Sequence, residues 1–374
     1  MAARYSDILV IGAGPSGLLA SLLASQRYHV TLIERDSKQF QLGKRILVSG
    51  NGRANFFNRN LLDEKTYDKD EFSAVKDIVL SDDKNYAKEL ISYFRETLKF
   101  TYREEGDLFY PFFNKSECLQ NLLVQQCKRQ NVEVIKGEFL SVHPDQKEVH
   151  LLENGQKVVF RYGKLFLALG GMSLERKTDP LDLLKNLNLK TRSFSPCLCP
   201  VKVKEKMPQC LNKNRLKGIL TLKKENEIIY QEEGEILFKE DGISGICVFD
   251  STLYLNRALE EKKTQRFTYD FSYAKEEVSL DSYPQFLRDY FKINKVKPGS
   301  DLHFTFASLY PFSQSQISYG GISFDEINKK NMTLKKYPDI ALAGEMLQQA
   351  FICGGYNMGM AMIEGFKFGK EVLL

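Results

Sequence analysis

Three glycines, a serine and one acid, at fixed spacing, carry the first recognisable chemistry in this 374-residue chain. The run Asp7-Ile-Leu-Val-Ile11 meets Gly12-Ala13-Gly14-Pro15-Ser16-Gly17, which fits G-x-G-x-x-G. Glu34 closes a second apolar run, His29-Val-Thr-Leu-Ile33. This spacing suits a pyrophosphate. Gly12 permits a tight turn, Gly14 lets backbone approach the phosphates, and Gly17 lets helix and strand pack closely. The free N–H groups and dipole at a helix start favour phosphate charge. Pro15 suits an early helical position, where its missing N–H costs little. Glu34 can accept from ribose hydroxyls and would repel a 2′-phosphate. Candidate contacts here are Gly12, Ala13, Gly14, Ser16, Gly17, Glu34 and Arg35. The chemistry is adenine-dinucleotide binding, and this stretch leaves FAD and NAD both open.

The elements that position these residues follow from composition. The short run before Gly12 is β-branched and apolar, the pattern of a strand buried on both faces. Leu18 to Ala24 reads as a buried helix, and 29–33 as the next strand. Together they make a βαβ unit. Residues 36–58 follow with glycine, asparagine and basic side chains and little periodicity. Ligands bind at the carboxyl edge of such sheets, so a loop there with Lys44, Arg53 and Asn55 can hold phosphate oxygens and a polar ring edge.

Further along, residues 60–130 are expected to be mostly helical, with a hairpin around Glu105-Gly-Asp107. A second hairpin turns at Glu153-Asn-Gly155. Leu165-Phe-Leu-Ala-Leu169 is another buried strand that ends in Gly170-Gly171, suited to close cofactor approach. Alternating runs between 191 and 253 read as a small β domain. Near the end, Ile340-Ala-Leu-Ala343 enters Gly344-Glu345, and Gly354-Gly355-Tyr356-Asn357 opens a last helix. Gly355, Gly359, Ala361, Gly365 and Gly369 permit tight packing along it. Strand, glycine turn and helix at both chain ends imply an insertion between two halves of one site.

Composition bounds the rest. A hydrophobic fraction of 43% with 27% charged residues is ordinary for a globular protein. No apolar run approaches the roughly 18–20 residues of a membrane span, and a cytoplasmic protein with no membrane partner is expected. The net charge of +5 is scattered. Its densest stretch is Lys202, Lys204, Lys206, Lys213, Arg215 and Lys217, without interleaved aromatics, so no nucleic-acid partner is expected. Seven cysteines, an odd number, argue against a disulfide framework, and Cys197-Leu-Cys199 lacks the companions of a zinc site. No metal is expected.

The segment Gly43-Lys-Arg-Ile-Leu-Val-Ser-Gly-Asn-Gly-Arg-Ala-Asn55 resembles the glycine-lysine and Ser-Gly-Gly-Gly-Arg-Cys-Asn loop of a group of three-domain bacterial flavoproteins. That group includes aminoacetone oxidase and bile-acid enone reductase-like proteins. Ala168-Leu-Gly-Gly-Met-Ser173, Ser195-Pro-Cys-Leu-Cys-Pro-Val201, Gly242-Ile-Ser-Gly245 and Ala343-Gly-Glu345 with Gly354–Asn357 are similar to family stretches in the same order. The resemblance implies an α/β fold: a Rossmann-like FAD-binding domain of the two-dinucleotide-binding-domain flavoprotein type, with an inserted β domain and a shortened helical segment. On this chain the domains become 1–190 plus 336–374, then 191–254 plus 301–335, then 255–300. Gly12, Gly14, Ser16, Gly17 and Glu34 would hold the ADP half of FAD, with Phe139 near the adenine through its backbone. Lys44, Ser49, Gly52, Arg53 and Asn55 would line its middle and flavin end. Gly170 lies at the second glycine junction, and Gly344, Glu345, Gly355, Tyr356 and Asn357 would hold the ribityl chain and isoalloxazine. Ala54 stands where the family has cysteine and Asn51 where it has glycine.

The implied activity is an FAD-dependent oxidoreductase that transfers hydride between a small organic substrate and the flavin. The last helix would aim its N-terminal dipole at the flavin edge where reduction builds charge. Alternatives are an amine oxidase producing peroxide, or an enone reductase with NAD(P)H as a transient electron donor. An RNA-acting flavoprotein and a non-catalytic FAD scaffold stand further out. No catalytic acid or base is assigned.

Overall fold

The computed structural model describes residues 3–35, 41–64, 69–81, 83–173, 176, 178–261, 265–273 and 278–374. The chain divides into two compact units, one of Met1–Gly171, Thr178–Ser193 and Gly320–Leu374, the other of Met172–Lys177 and Phe194–Tyr319.

In the first unit, parallel strands β1 (Arg4–Ile11), β2 (Val30–Glu34), β3 (Glu133–Lys136), β4 (Gln156–Leu167) and β11 (Ile340–Leu342) stand in the order β11-β4-β1-β2-β3. Leu9, Val10, Leu32, Leu165, Phe166 and Leu342 are all fully buried, as expected of parallel strands covered on both faces. Antiparallel strands extend the sheet: Glu138–His143 and Glu148–Glu153 beside β4, and Ile327–Asn328 and Thr333–Leu334 beyond β11. The hairpin before β4 turns through Asn154 and Gly155, with φ of 50° and 78°, the left-handed pair that matches strand twist. The hairpin Tyr102–Glu105 with Leu108–Pro111 also forms, and Phe57–Asn58 pairs onto it.

Helix α1 (Pro15–Ala24) is buried nearly all round, because α6 (Tyr356–Glu371) crosses it. Small residues make the crossing possible. A Cβ at Gly365 would lie 2.1 Å from the Ser16 carbonyl oxygen, and one at Gly369 would lie 2.5 Å from Leu23 Cβ. Helices α2 (Lys44–Val48) and α3 (Ser116–Arg129) pack on each other, and α3 packs on α1.

The second unit is a closed antiparallel barrel. Its strands β5 (Val201–Val203), β6 (Arg215–Lys224), β7 (Glu227–Lys239), β8 (Gly242–Ser244), β9 (Phe267–Ser272) and β10 (Leu302–Leu309) run in the order β5-β8-β7-β6-β9-β10. Helices α4 (Ile246–Glu261) and α5 (Gln285–Asn294) accompany it. Leu220, Leu222, Ile236, Phe238, Tyr269 and Phe271 fill its core.

Three details differ from the sequence reading. The runs 228–231 and 235–238, which read in the sequence as separate strands, form one strand, β7, whose Gly234 pairs in register with Gly218 and packs against Cys247. The polar glycine turn that the sequence suggests over 238–246 is confined to Glu240 and Asp241, and Gly242–Ser244 is a buried strand in which a Cβ at Gly242 would lie 2.0 Å from the Val201 oxygen. Within 255–300, β9 closes the barrel between β6 and β10, which the charged composition of the stretch concealed.

Candidate cofactor site

One row of residues sets the site. Ile33, Ile11, Leu167 and Leu342 lie side by side in register across β2, β1, β4 and β11. The chain therefore leaves four neighbouring parallel strands at one edge, through Glu34, Gly12, Ala168 and Ala343. Backbone bonds hold that edge: Gly12 N–H donates to Ile33 O at 2.8 Å, and Ala168 N–H to Ile11 O at 2.8 Å. β1 lies between β2 and β4, so the connections diverge to opposite sides there, the switch point where such sheets bind ligands.

The glycines of the turn have different physical reasons. Gly12 has φ +102°, and a Cβ there would meet the Ala168 oxygen at 2.2 Å. A Cβ at Gly17 would lie 1.9 Å from Gly12 O. Gly14 is unlike both. Its φ is −73°, and nothing lies within 4 Å of a Cβ built on it. The protein's own packing does not call for glycine at that position, whereas a ligand pressed against the turn does. No side chain caps α1, so its first N–H groups are not taken by a capping residue. Gly52 and Gly170 likewise face open space. This arrangement fits a dinucleotide pyrophosphate.

Glu34 does more than the sequence suggested. Its carboxylate accepts from Ala13 N–H at 2.6 Å and from Arg35 N–H at 3.0 Å, so it braces the turn from within. Arg35 is itself exposed. Gly137 N–H donates to Glu34 O at 2.8 Å, which brings the segment of buried Phe139 to the same strand end.

The second loop is more ordered than its composition indicated, although residues 36–40 lie outside the described residues. Gly43 N–H donates to Ala13 O at 2.8 Å, and α2 follows with Lys44 exposed at its start. Ser49 Oγ donates to Ile46 O at 2.6 Å. Gly50, Asn51, Gly52 and Ala54 all have positive φ, so Asn51 occupies a conformation that asparagine tolerates. Arg53 donates twice to the Glu105 carboxylate, at 2.8 and 3.0 Å, and its guanidinium lies 4.2 Å from the Tyr110 ring centroid. Hydrogen bonding to Arg53 holds Glu105 below the usual carboxylate range. Sequence reasoning missed Glu105 and Tyr110, which are distant in the chain and have no local signature. Asn55 Oδ1 is buried without a hydrogen-bond partner, and a Cβ at Gly355 would lie 2.5 Å from it.

The C-terminal junction completes the edge. Gly355, at φ +89°, precedes α6, whose first residue Tyr356 is buried. Asn357 turns back and pins the preceding segment: its Oδ1 accepts from Phe351 N–H at 3.1 Å and its Nδ2 donates to Phe351 O at 2.8 Å. Gly344 has φ +75°, and Ser16 Oγ is the atom nearest to a Cβ built there, at 3.7 Å. Its N–H donates to buried Glu364 at 2.5 Å, and its carbonyl accepts from Gln349 at 2.8 Å. Glu345 follows, half-buried, and Met346 Sδ accepts from Leu169 N–H at 3.0 Å. Glu364 and Gln349 carried no sequence signal. An acid in a helical run reads as surface until its burial is known.

Other candidates resolve as structure. In the barrel unit Asp241 pairs with Lys202 at 2.7 Å and accepts from the Tyr310 hydroxyl. Burial pushes the Cys197 and Cys199 thiols up to about 12, which makes both poor nucleophiles. Among the described residues no His/Cys/Asp/Glu group could hold a metal, and no helix is long and apolar enough to cross a membrane.

The family model described as the HI0933-like protein Rossmann domain matches residues 6–371, and the chain belongs to that family. It is 23% identical to a 3-dehydro-bile acid delta(4,6)-reductase of Clostridium scindens, over 96% of this chain and 97% of that protein. It is 22% identical to the ribosomal RNA dihydrouridine synthase of Escherichia coli K12, over 98% of each. Among solved structures, the 3-ketosteroid delta1-dehydrogenase of Sterolibacterium denitrificans shares the fold over 99% of each chain, with a TM-score of 0.57 at 11% identity. A flavocytochrome c3 fumarate reductase matches with a TM-score of 0.52 at 13% identity, over 98% of this chain and 78% of that one. Family and fold bear out the expected class, an FAD-dependent oxidoreductase with a Rossmann-type domain and an inserted barrel.

Proposed function

We propose that this member of the HI0933-like family binds FAD along the carboxyl edge of its parallel sheet and reduces a carbon–carbon double bond conjugated to a carbonyl in a small organic substrate. The observation that carries the cofactor reading is the shared row, from which the Gly12 turn, the Gly170 junction and the Gly344 junction all leave adjacent parallel strands. On this reading Gly14 and the uncapped start of α1 receive the pyrophosphate, and Glu34 holds the turn while presenting its carboxylate to the ribose. The Asn55–Gly355 contact joins the two chain ends beside the flavin, where bound FAD supplies the hydride chemistry. The 16-residue helix α6 starts at Tyr356 and directs its N-terminal dipole there, which favours negative charge on that side. The first unit is thus the cofactor domain, and the barrel unit is its insert.

The choice of reaction rests on the two full-length relatives. Both are named for saturating a ring double bond, which favours an alkene reductase with NAD(P)H as donor over the amine oxidase alternative. The test uses purified chain loaded with FAD under argon. Bleaching of the flavin by NADH or NADPH, followed by reoxidation with a cyclic enone, is the expected result. Bleaching by aminoacetone with peroxide on exposure to air would replace this reading with the oxidase. A chain that takes up no FAD would sink both.

RNA as the substrate is the second reading. It is favoured by the dihydrouridine synthase relative and by Lys204, Lys206, Lys213 and Lys217, which are exposed in the barrel unit without an ion pair among the described residues. A salt-dependent shift of a ribosomal RNA fragment would support it, and loss of that shift in a quadruple glutamine variant would place it on these lysines.

A further inference from the structure

A fully buried acid with one unpartnered oxygen holds Gly344, which lies near Ser16 in the first turn of α1. Glu364 sits in α6, and its Oε2 accepts Gly344 N–H at 2.5 Å and Gln349 Nε2 at 3.1 Å. The same Gln349 nitrogen donates to Gly344 O at 2.8 Å, so both polar groups of Gly344 are held by this pair. Glu364 Oε1 and Gln349 Oε1 are buried and have no hydrogen-bond partner. A charged carboxylate in that position would be costly, because burial takes away water and one oxygen gains nothing in exchange. The next residue, Gly365, is where α6 meets the backbone of α1, with a Cβ 2.1 Å from Ser16 O. The carboxyl is therefore one residue from the contact with the first turn of α1.

We propose that Glu364 is a proton-holding positioning residue: as the neutral acid it fixes Gly344 against the first turn of α1, and its ionisation weakens the binding of an anionic pyrophosphate at that turn. The inference rests on the dinucleotide reading above. Ionisable groups on the elements packed against α6 are Glu345 on the Gly344–Met346 turn, Lys84 beside Glu371, Tyr86, Lys88 and Glu89 on the helix Tyr86–Ser92, and Tyr93, Arg95 and Glu96 on the turn that follows it. The helix Lys69–Val79, whose Ile78 carbonyl accepts from Lys367, carries Glu71, Lys76 and Asp77, and β4, whose Phe166 meets Phe368, carries Lys157, Arg161, Tyr162 and Lys164. α6 itself carries Tyr356, Lys367, Lys370 and Glu371. α1 and Phe57–Asn58 carry none. None of these charges shifts Glu364. Burial pushes its carboxyl up to about 8, against the smaller opposing pull of Gly344 N–H and Gln349. Once ionised, its charge opposes the positive end of the α1 dipole and repels the phosphates.

The test measures the FAD dissociation constant of the full chain from about pH 6 to 10, for the wild type and for Glu364→Gln, which keeps the shape and cannot ionise. The wild type is expected to bind evenly up to about pH 8 and then weaken by roughly five- to tenfold, while Glu364→Gln stays flat. Melting of the cofactor-free chain is the second readout. The folded state keeps a proton that the unfolded state releases above about 4.5, so stability falls as pH rises from there to about 8 and then levels. Glu364→Gln should lack that component of the slope. Identical pH profiles for the two proteins in both readouts overturn the proposal. An equal loss of FAD affinity at every pH in Glu364→Gln does so too, since it reduces the residue to packing. Absence of FAD binding at any pH overturns the cofactor reading instead, and is told apart by a melting difference that persists.

Discussion

The N-terminal glycine turn and the C-terminal junction at Gly344 converge on Ser16 by different means. The first is made chiefly by backbone. Gly12 and Gly17 leave no room for a side chain, and among the described residues the side chain that ties the turn is Glu34, from the neighbouring strand. The second is made by buried polar side chains, with Glu364 and Gln349 gripping Gly344 from within the core. At Gly12 and Gly17 an added atom collides with backbone, so those two positions of the turn tolerate no side chain. A junction held by a carboxyl group responds to protons. The difference places rigidity where phosphates would lie and adjustability on the side that meets α6.

Mutations can break or sharpen that comparison. The largest effect should come from Gly365→Ala, whose methyl would need space occupied by the Ser16 backbone. A loss of about 3 kcal/mol is expected in denaturant unfolding, and a loss below about 1 kcal/mol would show that the two helices can separate without cost. Asn357→Ala removes the side chain that pins Phe351, at an expected cost of about 1–2 kcal/mol with the fold retained. A neutral outcome would mean that the segment before α6 is held by packing. The smallest effect on stability should be that of Gly14→Ala, within about 0.5 kcal/mol of the parent, because its Cβ meets open space. The same change should weaken FAD binding by about tenfold, or ~1.4 kcal/mol. Unchanged FAD affinity in Gly14→Ala would remove the main sign that a ligand occupies that space.

Local patterns were legible. The βαβ unit, both hairpins, the buried strand before Gly170 and the small-residue face of the last helix all appear in the structure as expected, since each depends on residues near one another in the chain. Pairings between distant residues were not legible. The sequence offers Arg53 as a ligand for phosphate oxygens and does not show that one of its guanidinium nitrogens also pairs with Glu105, 52 positions away. For Asn357 the sequence does not show that its side-chain amide also pins Phe351 in the segment before the helix. β9 was hidden in a charged stretch because closing a barrel requires register with two strands far off in sequence.

Sequence by itself determined that a phosphate-bearing dinucleotide suits the first turn, because glycine spacing and strand composition are local properties of the backbone. Only the tertiary structure decided which glycines serve packing and which leave room for a ligand, and that Glu364 is buried. Both depend on what the folded chain brings within a few ångströms, and burial is what turns an ordinary carboxyl into one that keeps its proton.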